Sequence, residues 1–362
     1  MTASHDEPRL PLVAIACQGG GSHAAFGAGV IHRLLEDHGR RFRLHALSGT
    51  SGGAVNAVLA WSGLIQDGAD NGVAEAQRRL HGMWQDLGAA SVPDMIRNWW
   101  GQLVLDLPFT WEVSPYVWDL GARDEMISRL RKWANLERLP QDQERLNQPV
   151  LFVGATDILN GVSVAIRGDG TVMTRTKQEV PVQAVPLAYD DVIASLAIPP
   201  LYKDVQRRGT AYWDGLFSIN PPVHALTQIC PCPDEIWVIQ INPQRVSHAP
   251  AQMRDIVDRR NELGGNVSLN KELDMIETVN GMIAGGHLRG GDYRHITVRI
   301  VGLEEKAGSF DLSYASKFDR SPGFLRDLFD HGRSRASEFY DTTWSLCDNV
   351  RRRLAARTVP KC

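Results

Sequence analysis

The sequence predicts an α/β fold in which helices cover a mostly parallel sheet. A continuous apolar run occupies residues 12–17, and mostly apolar segments follow at 150–156 and 235–241. Runs of this kind are typical of strands that are buried on both faces, as in a parallel sheet. The first run is followed by a glycine-rich turn and by apolar residues at helical spacing, and the same order recurs over residues 43–60. This succession of strand, turn and helix favours a parallel sheet covered by helices.

The remaining elements follow from the same periodicities. Strands are predicted at 12–17, 43–48, 150–156, 162–166, 235–241 and 293–301, with a hairpin over 202–213 that turns at Arg208-Gly209. Helices are predicted at 24–37, 54–60, 251–263 and 269–283. The irregular parts are a loose tail over 1–10, a helical or irregular insert over 73–134 with internal prolines, and a helical C-terminal extension over 303–362.

The composition is that of an ordinary globular protein, and it excludes some partners. The 362 residues include 39 basic and 42 acidic side chains, so the formal net charge is −3. A near-neutral chain argues against nucleic acid, because phosphates select basic surfaces. We see neither a signal peptide nor an apolar run long enough to span a membrane, and we expect a cytoplasmic protein. The cysteines form no C-x-x-C pair and are expected to be free thiols: Cys17, Cys230, Cys232, Cys347 and Cys362.

The first candidate site is a serine between a predicted strand and a predicted helix. The segment Gly49-Thr-Ser51-Gly-Gly53 fits the pattern G-x-S-x-G. A serine on a sharp turn of this kind needs small neighbours, so that the turn can close and a substrate can approach. The following helix also favours negative charge at its N-terminus. A tight turn with a capping serine is the alternative, and the flanking strand and helix favour a nucleophile.

The second candidate site is the glycine-rich turn after the first strand, Gln18-Gly-Gly-Gly-Ser22. Consecutive glycines leave backbone N–H groups free to point at one spot, as an oxyanion hole requires. A phosphate-binding loop is the competing interpretation. The dinucleotide pattern would need a glycine at position 24, which is Ala24, and no Lys-Ser/Thr pair follows for a P-loop. The sequence therefore favours the oxyanion hole.

The third candidate is Asp214-Gly215, which follows Trp213 and precedes Asn220-Pro-Pro. An aspartate before glycine is usually only a turn residue. Here a nucleophile and an oxyanion loop are already assigned and no base accompanies them. Asp214 is therefore the candidate base.

These three motifs, in this order, resemble those of the patatin-like phospholipases, and the resemblance spans residues 12–302. Ser195-Leu-Ala-Ile-Pro-Pro200 is also similar to the family's helix that ends shortly before the Asp strand. The resemblance implies a three-layer α/β/α sandwich with Ser51 as nucleophile and Asp214 as base. It implies no histidine, metal or other cofactor. The oxyanion hole and supporting residues it implies are Gly19, Gly20, Gly21 and Ser22, then Gly49, Gly52, Gly53 and Gly215.

The implied activity is hydrolysis of ester bonds in phospholipids or acylglycerols, by a catalytic domain over 11–302 with possible peripheral membrane contact.

Two departures from the family pattern lie within the motifs. The glycine loop of the family runs G-G-G-x-R/K-G, whereas His23 and Ala24 stand here in the last two positions. After Asp214-Gly215 comes Leu216, where a small residue is common.

Two other functions stay open at this point. A Ser–His–Asp esterase is permitted by chain order, because His224, His287 and His295 all follow Asp214. In such hydrolases, however, several strands usually precede the nucleophile. A non-catalytic binding or regulatory protein on a Rossmann-like scaffold is the other alternative, with Ser51 as a structural turn residue.

An aromatic cluster and a basic run are candidates for lipid contact. Within the insert, the segment 84–118 holds five of the ten tryptophans, Trp84, Trp99, Trp100, Trp111 and Trp118. They could form a lid, an acyl pocket wall or an interfacial anchor, and packing in the core is favoured over these roles. The run Arg351-Arg-Arg353 could touch anionic lipid. A solvated helix C-terminus is the favoured interpretation.

Overall fold

A computed structural model gives the structure of the chain. It describes residues 9–357 except 67, 90, 92–93, 96–97, 99–121, 175–184, 200–201, 247, 289–292, 304–305, 308–309 and 314. The tryptophans at positions 99, 100, 111 and 118 lie outside the described residues. Trp84 is buried, and its ring nitrogen donates to Asn56 Oδ1 at 2.8 Å, so this member of the cluster packs in the core.

A nine-stranded mixed sheet forms the centre of the protein, with the strand order β5-β4-β3-β2-β1-β8-β9 and with β7 pairing to β3 and β6. Its strands are β1 Leu12–Cys17, β2 Arg43–Thr50, β3 Val150–Asp157, β4 Val162–Arg167, β5 Val172–Thr174, β6 Val205–Arg207, β7 Thr210–Asp214, β8 Glu235–Gln240 and β9 Thr297–Gly302. Four neighbouring pairs are parallel: β3 with β2, β2 with β1, β1 with β8, and β8 with β9. Strands β4 to β7 add antiparallel pairs. A separate small hairpin joins β10 Lys306–Ala307 and β11 Phe310–Asp311.

Helices cover both faces of this sheet. They are α1 Ala24–Leu35, α2 Gly52–Gln66, α3 Gly68–Leu87, α4 Ala122–Trp133, α5 Gln143–Leu146, α6 Tyr189–Ala194, α7 Val223–Thr227, α8 Met253–Ala284 and α9 Pro322–Arg357. Side chains alternate across a strand. Val13, Ile15 and Cys17 of β1 join one core with α1, α2, α3 and α9, whereas Ala14 and Ala16 join a second core with α7 and α8. The three-layer α/β/α sandwich is confirmed.

Several predicted boundaries differ from the observed ones. The two helices predicted at 251–263 and 269–283 are one continuous helix, α8. The predicted hairpin is confirmed, with β6 and β7 joined at Arg208-Gly209. The last strand of the sheet begins at Thr297 rather than at residue 293. Among the described residues, no helix combines the length and the apolar character that crossing a membrane requires.

Helices α1 and α9 cross at two glycines that leave no room for a side chain. A Cβ atom at Gly29 of α1 would overlap the carbonyl oxygen of Phe329, and a Cβ at Gly332 of α9 would overlap that of Phe26. The two backbones are therefore in direct contact at both points. The helix near the C-terminus is thereby fixed to α1, which directly follows the glycine-rich turn.

We expect Gly29→Ala to lower the free energy of unfolding by about 2–3 kcal/mol, because an added methyl group forces two packed backbones apart. Urea denaturation measures the change. Gly264→Ala is the matched control: this glycine lies within α8 and no atom lies within 4 Å of its added Cβ. That variant should be more stable than wild type by about 0.5–1 kcal/mol. A Gly29→Ala protein as stable as wild type would contradict the close crossing.

Candidate active site

Ser51 lies on a sharp turn between β2, which ends at Thr50, and α2, which begins at Gly52. Its φ angle is 55°, a left-handed value that costs energy for any residue with a side chain. The turn closes only because Gly49 and Gly53 lack side chains. A Cβ atom at Gly49 would overlap the carbonyl oxygen of Gly53, and one at Gly53 would overlap that of Cys17. The sequence therefore holds a serine in strained backbone at this point.

A second serine, Ser195, holds this strained turn through hydrogen bonds. The backbone N–H of Ser51 donates to Ser195 Oγ at 2.9 Å. The Ser195 hydroxyl in turn donates to the carbonyl oxygen of Gly154 at 2.6 Å. Ser195 caps the C-terminal end of α6 and is fully buried. One buried hydroxyl thus ties the Ser51 turn to strand β3.

Sheet register brings Asp214 to the same place. Strand β2 runs parallel to β3 and ends with Thr50 opposite Gly154. Strand β7 runs antiparallel to β3 along the rest of its length and ends with Asp214 opposite Ala155. The two strands therefore run toward each other along β3, and their last residues lie opposite adjacent residues of that strand. Their C-terminal ends, and with them Ser51 and Asp214, meet at one point of the sheet.

The backbone of Asp214 is held on both sides. Its N–H donates to the carbonyl oxygen of Ala197 at 2.9 Å, and its carbonyl oxygen accepts from Thr156 Oγ1 at 3.0 Å. The residue is completely buried. Its carboxyl group therefore has little freedom to move away from Ser51.

One carboxylate oxygen of Asp214 is engaged, and the other is available to Ser51. Oδ1 accepts from the backbone N–H of Leu216 at 2.8 Å. Oδ2 is buried and has no partner at full hydrogen-bond geometry among the described residues. Burial raises the pKa of this carboxyl to about 7, although hydrogen bonds from the Leu216 amide and the Ser51 hydroxyl act in the opposite direction. The Ser51 hydroxyl is thus the side-chain donor that faces this carboxyl.

The glycine loop passes directly beside Ser51. A Cβ atom at Gly19 would lie 2.6 Å from the Cβ of Ser51. The N–H of Gly19 itself donates to Asn220 Oδ1 at 2.7 Å and is not free for a ligand. By contrast, no acceptor in the described part of the chain engages the N–H groups of Gly20, Gly21 and Ser22. Within the described structure, these three adjacent amides of the loop are therefore without an acceptor.

Sequence reasoning did not assign Asn220 and Ser195, although both lie in segments that the motifs singled out. Asn220 begins the Asn-Pro-Pro segment that follows Asp214, and Ser195 begins the Ser-Leu-Ala-Ile-Pro-Pro segment. Both side chains bind backbone amides of the site, those of Gly19 and Ser51. The signal available was a polar residue just before a proline-rich turn, close in sequence to the candidate base.

The candidate histidines are not bonded to this pair. Among the described residues, no hydrogen bond joins His224, His287 or His295 to Ser51 or Asp214. His287 and His295 are exposed. Within the described ranges, no group of three His, Cys, Asp or Glu side chains is placed to hold a metal ion.

The arrangement is suited to acyl transfer. A serine in strained backbone has its hydroxyl facing a buried carboxyl, and the glycine loop passes beside this serine. Acyl transfer needs such a nucleophile and base, together with amides that can bind an oxyanion. The N-terminus of α2 adds its partial positive charge at the same point. The described contacts assign no comparable role to a histidine.

Comparison with known proteins adds an independent line of evidence. The family model described as "Patatin-like phospholipase" matches residues 15–227, which is more than half of the chain. The match includes all three motifs. No curated protein sequence matches the chain significantly.

Two solved structures are similar to the chain at low identity. The crystal structure of VipD from Legionella pneumophila has 13% identity and a TM-score of 0.40, with 92% of this chain and 67% of that chain covered. ExoU from the type III secretion system of Pseudomonas aeruginosa, solved in complex with SpcU, has 15% identity and a TM-score of 0.25, with 73% of this chain covered. The alignment covers 51% of the ExoU chain. Similarities with identities and TM-scores this low do not establish a shared substrate or partner.

Proposed function

The chain belongs to the patatin-like phospholipase family, and from this membership we propose that it is a serine lipid acyl hydrolase. Its substrates would be phospholipids or acylglycerols, cleaved at carboxylic ester bonds through an acyl-enzyme. Ser51 is the proposed nucleophile and Asp214 the proposed base. The amides of Gly20, Gly21 and Ser22 form the proposed oxyanion hole.

The observation that carries this proposal is the meeting of Ser51 and Asp214 at the ends of β2 and β7. A carboxylate is a weaker base than imidazole, so a dyad without histidine needs a carboxylate of raised basicity. Complete burial of Asp214 provides it, because water no longer stabilises the charged form. Its free oxygen Oδ2 is the proposed acceptor of the Ser51 proton.

In the first step, Ser51 Oγ attacks the ester carbonyl carbon while its proton moves to Asp214 Oδ2. The carbonyl π electrons move to the carbonyl oxygen, and the resulting oxyanion accepts hydrogen bonds from the free loop amides. Collapse of this intermediate breaks the bond to the leaving alkoxide oxygen, which takes the proton from Asp214. The products are a free alcohol and an acyl group bound to Ser51.

In the second step, water replaces the alcohol. Asp214 accepts a proton from the water as its oxygen attacks the acyl carbonyl, and the same amides bind the second oxyanion. Collapse expels Ser51 Oγ, which recovers its proton from Asp214, and a fatty acid leaves. Each residue thus acts twice in the same place, first on the serine hydroxyl and then on water.

A lipid panel tests the activity and its substrate class together. We expect wild-type protein to release fatty acid from vesicles of at least one phospholipid or acylglycerol, measured by mass spectrometry. Ser51→Ala protein provides the blank. A fluorophosphonate probe should label wild type at Ser51 and leave Ser51→Ala unlabelled, since such probes report an activated serine.

The same experiment decides between this proposal and a non-catalytic binding protein. A folded wild-type chain that releases no fatty acid and leaves Ser51 unlabelled would be a binding protein on this scaffold. Labelling that persists after His287→Ala and His295→Ala, with full hydrolysis, would argue against a Ser–His–Asp esterase. Loss of activity in a folded His→Ala variant would favour that esterase instead.

A further inference from the structure

We propose that the 3-10 turn Ala315–Phe318, here called the clamp turn, fixes the glycine loop in the geometry needed to bind an oxyanion. Ser316 and Lys317 are its positioning residues. The inference rests on the proposed function, because it assigns a role in the same reaction. The clamp turn lies outside residues 15–227, where the family model matches, so family membership does not supply this role.

The clamp turn touches the glycine loop through its backbone. Gly21 has a φ angle of 57°, a left-handed value that favours glycine. A Cβ atom at this position would overlap the carbonyl oxygen of Lys317. The outer side of the loop therefore rests on the clamp turn, and any side chain at position 21 would push the two apart.

Ser316 provides the first side-chain anchor. Its Oγ lies 2.7 Å from Nε2 of His23, the residue that directly follows the three free amides. The same Oγ accepts from the N–H of Ser313 at 2.8 Å and donates to the carbonyl oxygen of Ser313 at 2.8 Å. Since a hydroxyl has a single proton, these three contacts are compatible when His23 carries its proton on Nε2 and donates it to Ser316.

His23 is suited to a permanent structural contact of this kind. Burial holds its pKa well below the ordinary value, and the nearby Lys317 charge acts in the same direction. The ring therefore stays neutral, and its hydrogen bond to Ser316 persists without a charge. Edge contact with the ring of Phe324, at 6.0 Å between centroids, packs its other side.

Lys317 provides the second anchor, at the opposite end of the loop. Lys317 is partly buried, and its Nζ donates to Asn242 Oδ1 at 2.7 Å. The backbone N–H of Asn242 donates to Gln18 Oε1 at 2.8 Å, and Gln18 is the residue that begins the loop. Burial lowers the pKa of Lys317, and the carboxylates of Asp258 and Glu262, which line the same small pocket, act in the opposite direction. A continuous series of polar contacts thus joins Lys317 to the start of the loop.

These anchors surround the amides that the reaction needs. Gln18 and Gly19 are held at one end of the loop by the contacts of Asn242 and Asn220, and His23 is held at the other end by Ser316. Between them lie Gly20, Gly21 and Ser22. Hydrogen-bond donors stabilise a transition state most when they are fixed before charge develops. Loosening an anchor should therefore lower kcat and leave substrate binding nearly unchanged.

Two substitutions test the clamp turn. Ser316→Ala removes the hydroxyl, and Lys317→Met keeps the aliphatic stem without the charge. We expect each to lower kcat by about 10–100-fold on a short p-nitrophenyl ester, with KM within about twofold of wild type. Ser316→Thr, which keeps the hydroxyl, should restore most of the activity. Lys271→Met, a substitution of an exposed lysine on α8, is the matched control and should keep wild-type kcat.

A transition-state analogue separates positioning from general damage. A trifluoromethyl ketone reacts with the serine to form an adduct, and this adduct carries an oxyanion. In each variant, the inhibition constant of this compound should rise by the same factor by which kcat falls. Circular dichroism at the assay temperature confirms that the variants are folded. Ser316→Ala removes only one oxygen atom and keeps the comparison informative even where Lys317→Met does not fold.

The outcomes distinguish this inference from the proposed function. Wild-type kcat and wild-type inhibition in folded Ser316→Ala would overturn the clamp turn. An equal weakening of KM and kcat would also overturn it, since that result describes damage to the whole site. If wild type itself shows neither hydrolysis nor labelling of Ser51, the proposed function has failed, and the clamp turn fails with it as a positioning device.

Discussion

Replacing Asp214 by asparagine is expected to abolish ester hydrolysis and, above neutral pH, to stabilise the folded protein. Asparagine has the same shape but cannot accept the Ser51 proton. General bases contribute roughly 10²–10⁴-fold to the rate, so a loss of this size is expected in kcat. Initial rates on a p-nitrophenyl ester measure it. A folded Asp214→Asn protein with near-wild-type turnover would contradict the role of Asp214 as base.

The stability gain follows from the raised pKa of this carboxyl. The ordinary aspartate value is 3.8, and burial raises the pKa of Asp214 to about 7 in the folded state. Between these two values the folded protein binds a proton that the unfolded chain has released. Stability therefore falls as pH rises through this window, by about 1.4 kcal/mol per pH unit and about 4 kcal/mol in all. Asparagine carries no charge and avoids this cost.

Denaturation at two pH values measures the effect. Asp214→Asn should match wild type at about pH 4 and exceed it by a few kcal/mol at about pH 8. Asp274→Asn, at an exposed position on α8, is the control and should show no such divergence. An Asp214→Asn protein that is less stable than wild type at high pH would show that the charged carboxyl stabilises the fold.

The same ionisation predicts the pH dependence of activity. Only the deprotonated carboxylate can accept the Ser51 proton, so kcat/KM of wild type should rise with pH and level off above about 7. Activity is thus greatest where this group destabilises the fold most. A rate that is constant from about pH 5 to pH 8 would exclude Asp214 as the titrating base.

Ser51→Ala is expected to have an even larger effect on catalysis. In serine hydrolases, loss of the nucleophile alone lowers kcat by about 10⁶-fold. The variant should release no fatty acid above background and should not react with a fluorophosphonate. Its fold should be retained, because alanine fits the same space and the strained φ angle of 55° is carried by the turn.

Ser48→Ala is the matched control for this variant. Ser48 lies on β2, the strand that leads into the Ser51 turn; it is fully buried, and its hydroxyl has no hydrogen-bond partner within the described structure. Its removal should leave activity intact. Ser51→Gly should also be inactive but more stable than Ser51→Ala by about 1 kcal/mol, because glycine adopts a positive φ angle without strain. Residual turnover in Ser51→Ala comparable to wild type would exclude Ser51 as nucleophile.

Local sequence patterns predicted most of the fold because its central strands are buried on both faces. The run 12–17 contains no polar residue other than Cys17, and 236–239 is wholly apolar, which is typical of such strands. The apolar helical spacing predicts two helices, at 251–263 and 269–283, and the residues between them include Gly264-Gly265, which lie inside the single helix α8. In the structure a Cβ at Gly265 would lie 2.6 Å from Asn242 Nδ2, so close packing, rather than a turn, explains this glycine.

The candidate site was predicted only in part, because its assembly depends on distant segments. Ser51 was identifiable from its own turn, and the free amides from their glycines. β2 pairs with the first residues of β3 and β7 with the last ones. No short segment of the sequence predicts this pairing, because the three strands are far apart along the chain. The same holds for the bond between Gly19 and Asn220, which are 201 residues apart. The domain limits at 10 and 302 remain predictions.

The position of β1 at the centre of the sheet has a consequence for the timing of synthesis. β1 pairs with β2, which follows closely, and with β8, which is made much later. His23 and Ser316 are 293 residues apart, and translation at about 5–20 residues per second separates them by about 15–60 s. On the ribosome, Ser51 and the residues that hold its turn, Gly154 and Ser195, are therefore made well before Ser316, which contacts the glycine loop. A nascent chain thus carries its nucleophile early, and we expect it to gain hydrolytic competence only after Ser316 has been made and can bond to His23.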